Sequence, residues 1–198
     1  RRSPPVVLKP RKVALRCAAG ALLAIAAPAF AQSEDIEVPA AATYRHDGSG
    51  IEFPPAFAGF ERRRVARFGT TNDIAGIYDQ DETGTFATVY VTRVGIPDPG
   101  LWFHRVAGLI VRRDGFRPSQ DGAIGPEMFV APGFDRPSGM RLAYDIDGGD
   151  LSGSALAIMV YGDRIVKIRV SSEQLDASGL IAAMESLVDA LDFPEPWG

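Results

Sequence analysis

The sequence has very little of three residue types that often carry chemistry, namely cysteine, histidine and lysine. Its one cysteine is Cys17, so residues 32–198 hold no thiol and can form no disulfide. Two histidines without a cysteine nearby cannot make the usual zinc sites, which take three or four nitrogen or sulfur ligands. Lys167 is the only lysine in residues 32–198, against fourteen arginines, and we interpret this preference as genome base composition.

Several catalytic and nucleotide-binding motifs are also absent. The chain has no G-x-S-x-G nucleophile elbow, no G-x-x-x-x-G-K-[ST] phosphate loop and no G-x-G-x-x-G dinucleotide fingerprint. Carboxylates are plentiful, but no pair is marked by its spacing for acid–base catalysis. The sequence therefore favours a non-catalytic protein without a cofactor over an enzyme.

The first 31 residues have the pattern of a cleaved secretory signal. A basic start without acids precedes a short apolar run that ends in Ala29-Phe30-Ala31. The run is shorter than the roughly 20 apolar residues that a membrane-spanning helix needs, and Pro28 interrupts it. We predict cleavage after Ala31, with Gln32 as the new N-terminus of a periplasmic or secreted protein. An uncleaved membrane anchor is the alternative interpretation.

The charge of the chain is divided unevenly. Six of the 21 basic residues lie in residues 1–31, whereas all 25 acidic residues follow, which leaves residues 32–198 with a net charge of −10 (15 against 25). Nucleic-acid binding depends on lysine and arginine to neutralise phosphates, and docking on anionic lipid also needs basic residues. The composition therefore argues against both kinds of partner.

Apolar periodicity predicts a flexible leader over residues 32–50 and one α+β domain over residues 51–198. The predicted strands are short or alternating, and the two predicted helices begin near Leu101 and near Glu173. The predicted strands cover residues 51–53, 61–68, 74–78, 85–94, 141–146 and two strands around the turn Gly162-Asp163. A long connector is expected over residues 117–139. This order predicts an antiparallel β-sheet covered by helices.

Two acidic turns resemble the start of a calcium loop. In the first, Asp79, Asp81 and Thr83 alternate before Gly84, as oxygen ligands do in such loops. The position that would need a bidentate glutamate holds Tyr90, so a solvated hairpin tip is favoured over weak cation binding by Asp79 and Asp81. The second turn, residues 145–150, is interpreted in the same way.

A run of arginines and the start of the first helix are the candidate binding residues. Arg62, Arg63 and Arg64 predict a charged strand edge, with docking of an acidic partner or anionic ligand as the alternative. Trp102, His104 and Arg105 lie together at the predicted helix start, and we include them as candidate ligand or partner contacts.

Two further aromatic residues, Trp197 and His46, lie outside these groups. Trp197 follows the last helix, and packing is favoured over an exposed partner anchor. His46 lies in the predicted leader and is expected to be exposed.

The order of elements resembles a known family. The stretches IEFPPAFAGFERRRV and IAGIYDQDETGTFATVYVT, a helix, the GDRIVKIRVS hairpin and a closing helix ending in LDFP are similar to the PsbP/Mog1-like α/β sandwich group. The similarity covers roughly residues 50–194 and is closest to secreted bacterial members of unassigned role. Members of that group are mostly assembly factors, adaptors and envelope proteins, so the resemblance implies a binding or accessory module with no catalytic residues to transfer.

Three functional hypotheses follow from these observations. The first is a periplasmic, non-catalytic binding or accessory protein of the cell envelope, with an envelope protein as a candidate partner. The second is a hydrolase that uses carboxylates or a loosely bound cation, which requires Asp79, Asp81 and Asp147 to converge in a cleft. The third is a structural envelope protein that acts by oligomerising.

Overall fold

A computed structural model of the chain describes residues 33–68, 73–119 and 126–193. The helices are α1 (Pro99–Asp114) and α2 (Ala177–Ala190). The strands are β1 (Ser33–Ile36), β2 (Tyr44–Arg45), β3 (Glu52–Phe53), β4 (Ala56–Phe57), β5 (Phe60–Phe68), β6 (Asp73–Gln80), β7 (Thr85–Arg93), β8 (Arg117–Pro118), β9 (Glu127–Phe129), β10 (Gly139–Asp145), β11 (Gly153–Tyr161) and β12 (Arg164–Ser172).

One large antiparallel sheet organises these elements. Its strand order is β1-β5-β6-β7-β12-β11-β10-β8, with β4 added beside β5 and β9 beside β10, whereas β2 and β3 form a separate pair. The strands β5, β6 and β7 follow one another as a meander, and so do β10, β11 and β12. The prediction of an α+β protein with an antiparallel sheet and two helices is confirmed.

The hairpin between β11 and β12 has the predicted two-residue connection. Tyr161 pairs with Arg164 across the turn, and Gly162 has a φ of 56°. A positive φ at the first turn position is the requirement of a type II′ turn, and glycine meets it without a steric penalty. The turn therefore sets the register of two neighbouring strands of nine residues each.

Both helices begin at an aspartate that caps the backbone. The Asp98 carboxylate accepts a hydrogen bond from the Leu101 amide at the start of α1, and Gly115 ends this helix with a φ of 71°. The Asp176 carboxylate accepts from the Gly179 amide at the start of α2. The second helix therefore begins after the predicted Glu173, because the cap lies at Asp176.

The two helices pack on opposite faces of the sheet. The buried apolar side chains of α2 contact one face of β10, β11 and β12, and residues of β2, β3 and β4 cover the β5–β7 part of the same face. The helix α1 packs on the other face, against β10 and β11. Alternate residues of β11 thus enter two apolar clusters, as a strand buried on both faces requires.

The segments predicted as irregular contain short strands. Within the predicted connector over residues 117–139, β8 and β9 both pair with β10, so this segment is not simply a connector. Within the predicted leader, β1 pairs with β5 and β2 pairs with β3.

The expectation that His46 is exposed is wrong. Its side chain is 1% exposed, and its Nδ1 lies 2.8 Å from the Ser49 hydroxyl oxygen. Backbone bonds from Ser49 and Gly50 to the His46 carbonyl close the turn between β2 and β3. The histidine therefore lies at the centre of a hairpin turn, folded against the sheet.

The predicted signal cleavage site (Ala29, Ala31 and Gln32) and Trp197 lie outside the described residues. Among the residues that the structure describes, no helix has the length and apolar character needed to cross a membrane.

Candidate functional site

The three consecutive arginines of β5 have separate partners. Arg62 donates to the carbonyl oxygens of Phe53 at 2.6 Å and Pro39 at 3.1 Å. It therefore ties the segment before β3 to the sheet.

Arg63 and Arg64 each bind carboxylates of this chain. Arg63 donates to Asp79 and, at 3.0 Å, to Asp81. Arg64 donates to Asp35 of β1 at 2.9 Å. The three arginines therefore do not form one patch of unpaired charge. Ligand binding by Arg62, Arg63 and Arg64 stays a prediction.

The acidic tips do not come together as the hydrolase hypothesis requires. Asp79 and Asp81 share Arg63, while Asp147 forms an ion pair with Arg117. Among the described residues, no group of three or more histidine, cysteine or acidic side chains is placed to hold a metal ion. The proposed cation ligands Asp79 and Asp81 therefore lack a third histidine, cysteine or acidic ligand in the described part of the chain.

The predicted residues at the start of α1 form a small surface of their own. The Trp102 indole donates to the Ile96 carbonyl at 2.8 Å, and the Arg105 guanidinium lies 5.1 Å from the Trp102 ring centre. His104 is exposed. Ile96 and Leu101, both exposed, lie on the same short stretch. This surface is accessible, and the indole N–H of Trp102 already has its partner within it.

Lys167 is a candidate site residue that was not predicted from the sequence. It lies on β12, and its register partner on β7 is Tyr90. The Lys167 ammonium nitrogen lies 3.7 Å from the centre of the Tyr90 ring. No carboxylate among the described residues lies within ion-pair distance of this nitrogen, and the side chain is partly exposed.

Lys167 has neighbours that disfavour its charged form. Burial and, to a lesser extent, the positive charge of Arg169 together lower the pKa of Lys167 to about 7. Burial also raises the pKa of Tyr90, against the opposing effects of Arg169, Thr88 and Arg64. The phenol therefore supplies no negative charge to the lysine near neutral pH, only the face of its ring.

Arg169 lies two residues further along β12 and is fully partnered. Its guanidinium donates to the Ser154 hydroxyl at 3.2 Å and to the Asp114 carboxylate at 3.1 Å, and it lies 5.1 Å from the Phe116 ring centre. The contrast with Lys167 is clear, since Asp114 at the end of α1 reaches the arginine.

Together these side chains define a surface that we call the lysine face, made of Phe68, Tyr90, Lys167 and Arg169. The rings of Phe68 and Tyr90 lie 5.9 Å apart. All four side chains are partly exposed. The lysine face thus combines two aromatic rings, a paired arginine and an amine that lies over a ring, with no carboxylate of the described residues at ion-pair distance.

One signal in the sequence pointed to this surface. In the stretch Ile165 to Val170, a lone lysine stands between Val166 and Ile168, in a chain that otherwise uses arginine after residue 31. From the sequence alone, the scarcity of lysine was interpreted only as genome base composition. Its partners on β7 and β5 could not be foreseen, because they depend on pairings between strands far apart in the chain.

Comparisons with models of known protein families, with curated proteins and with solved structures found no match to this chain. The resemblance to the PsbP/Mog1-like group therefore stays a prediction.

Proposed function

We propose that this chain is an exported, non-catalytic binding or accessory protein of the cell envelope, and that the lysine face is its binding surface. The signal pattern of residues 1–31 supports export. The resemblance of residues 50–194 is the basis for proposing a PsbP/Mog1-like sandwich as the finer fold. The observation that carries the binding function is the setting of Lys167.

A partly buried polar group is normally satisfied by a partner within the protein. Residues 32–198 contain 25 acidic residues, yet none of those described lies at ion-pair distance from Lys167, although Asp114 reaches nearby Arg169. A partly buried amine at this position costs folding free energy that a methionine would not. We take this cost as support for an external group that completes the site.

The hydrolase alternative is less well supported. The carboxylates that it would use are engaged by arginines, because Asp79 and Asp81 bind Arg63, and Asp147 binds Arg117. These carboxylates therefore lie in separate ion pairs, with Arg63 on β5 and Arg117 on β8, and do not meet in one cleft as the hypothesis requires.

Photocrosslinking in living cells tests the proposed function. A photoreactive residue is introduced at Tyr90 on the lysine face, and a matched control is introduced at the exposed Leu101 of α1. We expect one recurrent adduct from position 90, identified by mass spectrometry, and none from position 101. Adducts from position 101 alone would overturn the assignment to the lysine face and favour the α1 start.

Two further outcomes of the same experiment are informative. Adducts between two copies of this chain at position 90 would replace the accessory role with the oligomerising envelope protein. Recovery of the protein with residues 1–31 still attached, and only from the cytoplasmic fraction, would overturn export.

A further inference from the structure

We infer that Lys167 captures a small aldehyde or ketone as a reversible imine on the lysine face. This inference deepens the proposed function, since it uses the same surface and names the chemical class of its ligand.

The geometry around Lys167 favours an uncharged amine. The charged and titratable groups facing it are Tyr90 on β7, Arg169 on β12 and, beyond Tyr90, Arg64 on β5. Two of these are cations, and the third is a phenol that keeps its proton at neutral pH. Asp114 of α1 is bound to Arg169. Because none of the described carboxylates lies at ion-pair distance from the ammonium, the free amine is the form that these neighbours favour.

The choice of lysine at this position has a chemical meaning. Arginine stays charged at every physiological pH, so a guanidinium cannot act as a nucleophile. A lysine that is desolvated and lies next to another cation is activated in this way. The chain uses arginine at all fourteen other basic positions after residue 31 and lysine only where the neighbours suppress the charge. The lowered pKa of Lys167, about 7, agrees with this geometry.

The covalent step needs no co-reactant. The Lys167 nitrogen lone pair attacks the carbonyl carbon, and the carbonyl π electrons move to oxygen. A proton passes from nitrogen to that oxygen, which gives a carbinolamine. The hydroxyl group then leaves as water together with the remaining proton of the nitrogen, while the nitrogen lone pair forms the carbon–nitrogen double bond. Addition of water reverses the sequence. Water is the only by-product, and nothing is oxidised or reduced.

The surroundings of the amine indicate which carbonyl compounds fit. Arg64 and Arg169 already bind Asp35 and Asp114, so no free guanidinium remains on this surface for an acidic group of the ligand. The ring of Tyr90 instead presents apolar contact area next to the amine, and the ring of Phe68 lies 5.9 Å from that ring. We therefore expect uncharged aldehydes or ketones with an aliphatic or aromatic body.

Reductive trapping tests this inference on the full chain. The protein is incubated with butyraldehyde or benzaldehyde and cyanoborohydride between about pH 6 and 9, and labelled peptides are quantified by mass spectrometry. The variant R136K supplies an ordinary, exposed lysine as an internal reference, because Arg136 is exposed and distant from the lysine face in sequence. At pH 7 we expect Lys167 to be trapped at least about tenfold faster than the reference, which titrates near 10.4.

Two variants and one pH profile complete the test. K167R keeps the charge and must abolish the adduct at this peptide, while labelling of the reference lysine stays unchanged. Labelling of Lys167 should reach half of its maximum near its own lowered pKa. Equal rates at the two lysines, or labelling restricted to the reference and the N-terminal amine, would overturn imine formation. A crosslinked partner at position 90 would still uphold the proposed function in that case, so the two failures are distinguishable.

Discussion

The strands β7 and β12 have one face that is fully buried in the core and one face that is partly exposed to solvent. On the face toward α2 and the β2–β4 segment, Val89, Val91 and Ile168 are 0% exposed. On the opposite face, Tyr90 and Lys167 are partly exposed, and Lys167 is the only lysine among the described residues. Because successive side chains of a strand point to opposite faces, one hairpin pairing fixes both surfaces at once. The packed face stabilises the fold, whereas the partly buried amine on the lysine face lowers the free energy of unfolding.

The largest difference between the faces should appear in stability. Replacing Ile168 by alanine removes a fully buried side chain and leaves a cavity, so we expect the free energy of unfolding to fall by about 2–5 kcal/mol. Replacing Thr92 by alanine on the opposite face should change it by no more than about 0.5 kcal/mol. Urea denaturation measures both values, and equal losses would show that the two faces are packed alike.

The Asp114–Arg169 pair should contribute less than the core but more than a surface ion pair. Both side chains are mostly buried, so Asp114→Asn should cost about 1–3 kcal/mol, because it leaves Arg169 without its charged acceptor. The matched control is Asp163→Asn, which breaks the exposed pair with Arg93 and should cost about 0–1 kcal/mol. Thermal and urea unfolding of both variants decide between a structural and a negligible pair.

Lys167 should make stability rise with pH. The pKa of Lys167 is lower in the folded than in the unfolded protein, so the unfolded state binds more protons above about pH 7. The free-energy cost of burying the charged amine is therefore relieved as the pH rises toward about 10. The change is at most about 1.4 kcal/mol per pH unit. We expect the advantage of Lys167→Met over the wild type in urea unfolding to be largest near pH 6.5 and to shrink by pH 9. An advantage that is the same at every pH would contradict a lowered pKa.

The smallest effect should come from the ring beneath the amine. Below about pH 7, where Lys167 is charged, Tyr90→Leu removes the cation–π contact and should cost about 0.5–1 kcal/mol more than Tyr90→Phe, which keeps a ring. This difference should decrease at pH 9, where the amine is neutral. A difference of the same size at both pH values would assign it to packing alone.

Local patterns predicted the central elements of the fold well. The turn Gly162-Asp163 and the alternation of the following strand predicted the β11–β12 hairpin, and apolar periodicity predicted a helix from near Leu101, two residues after the observed start of α1 at Pro99. The strands β8 and β9 were missed because they are two and three residues long and depend on pairing with β10. Elements with their own periodicity could be predicted, whereas elements that exist only through a neighbour could not.

The candidate site was harder to predict for the same reason. The juxtaposition of Lys167 with Tyr90 arises from the pairing of β12 with β7, and no local pattern reports that register. The burial of His46 likewise depends on how the β2–β3 turn packs on the sheet. In both cases the chemistry of a single side chain is decided by residues far from it in sequence.

The pairing of β7 with β12 also bears on how the chain folds. It joins the β5–β7 meander to the β10–β12 meander, and a hydrogen bond between the Thr85 and Ser172 hydroxyls spans 87 residues. Each meander can form from local contacts, but this seam must close a long loop, which is the slower kind of step. Until it closes, β7 and β12 are both open strand edges at the middle of the future sheet. Chains that meet at this stage can exchange meanders, so the seam is where we expect domain swapping to begin.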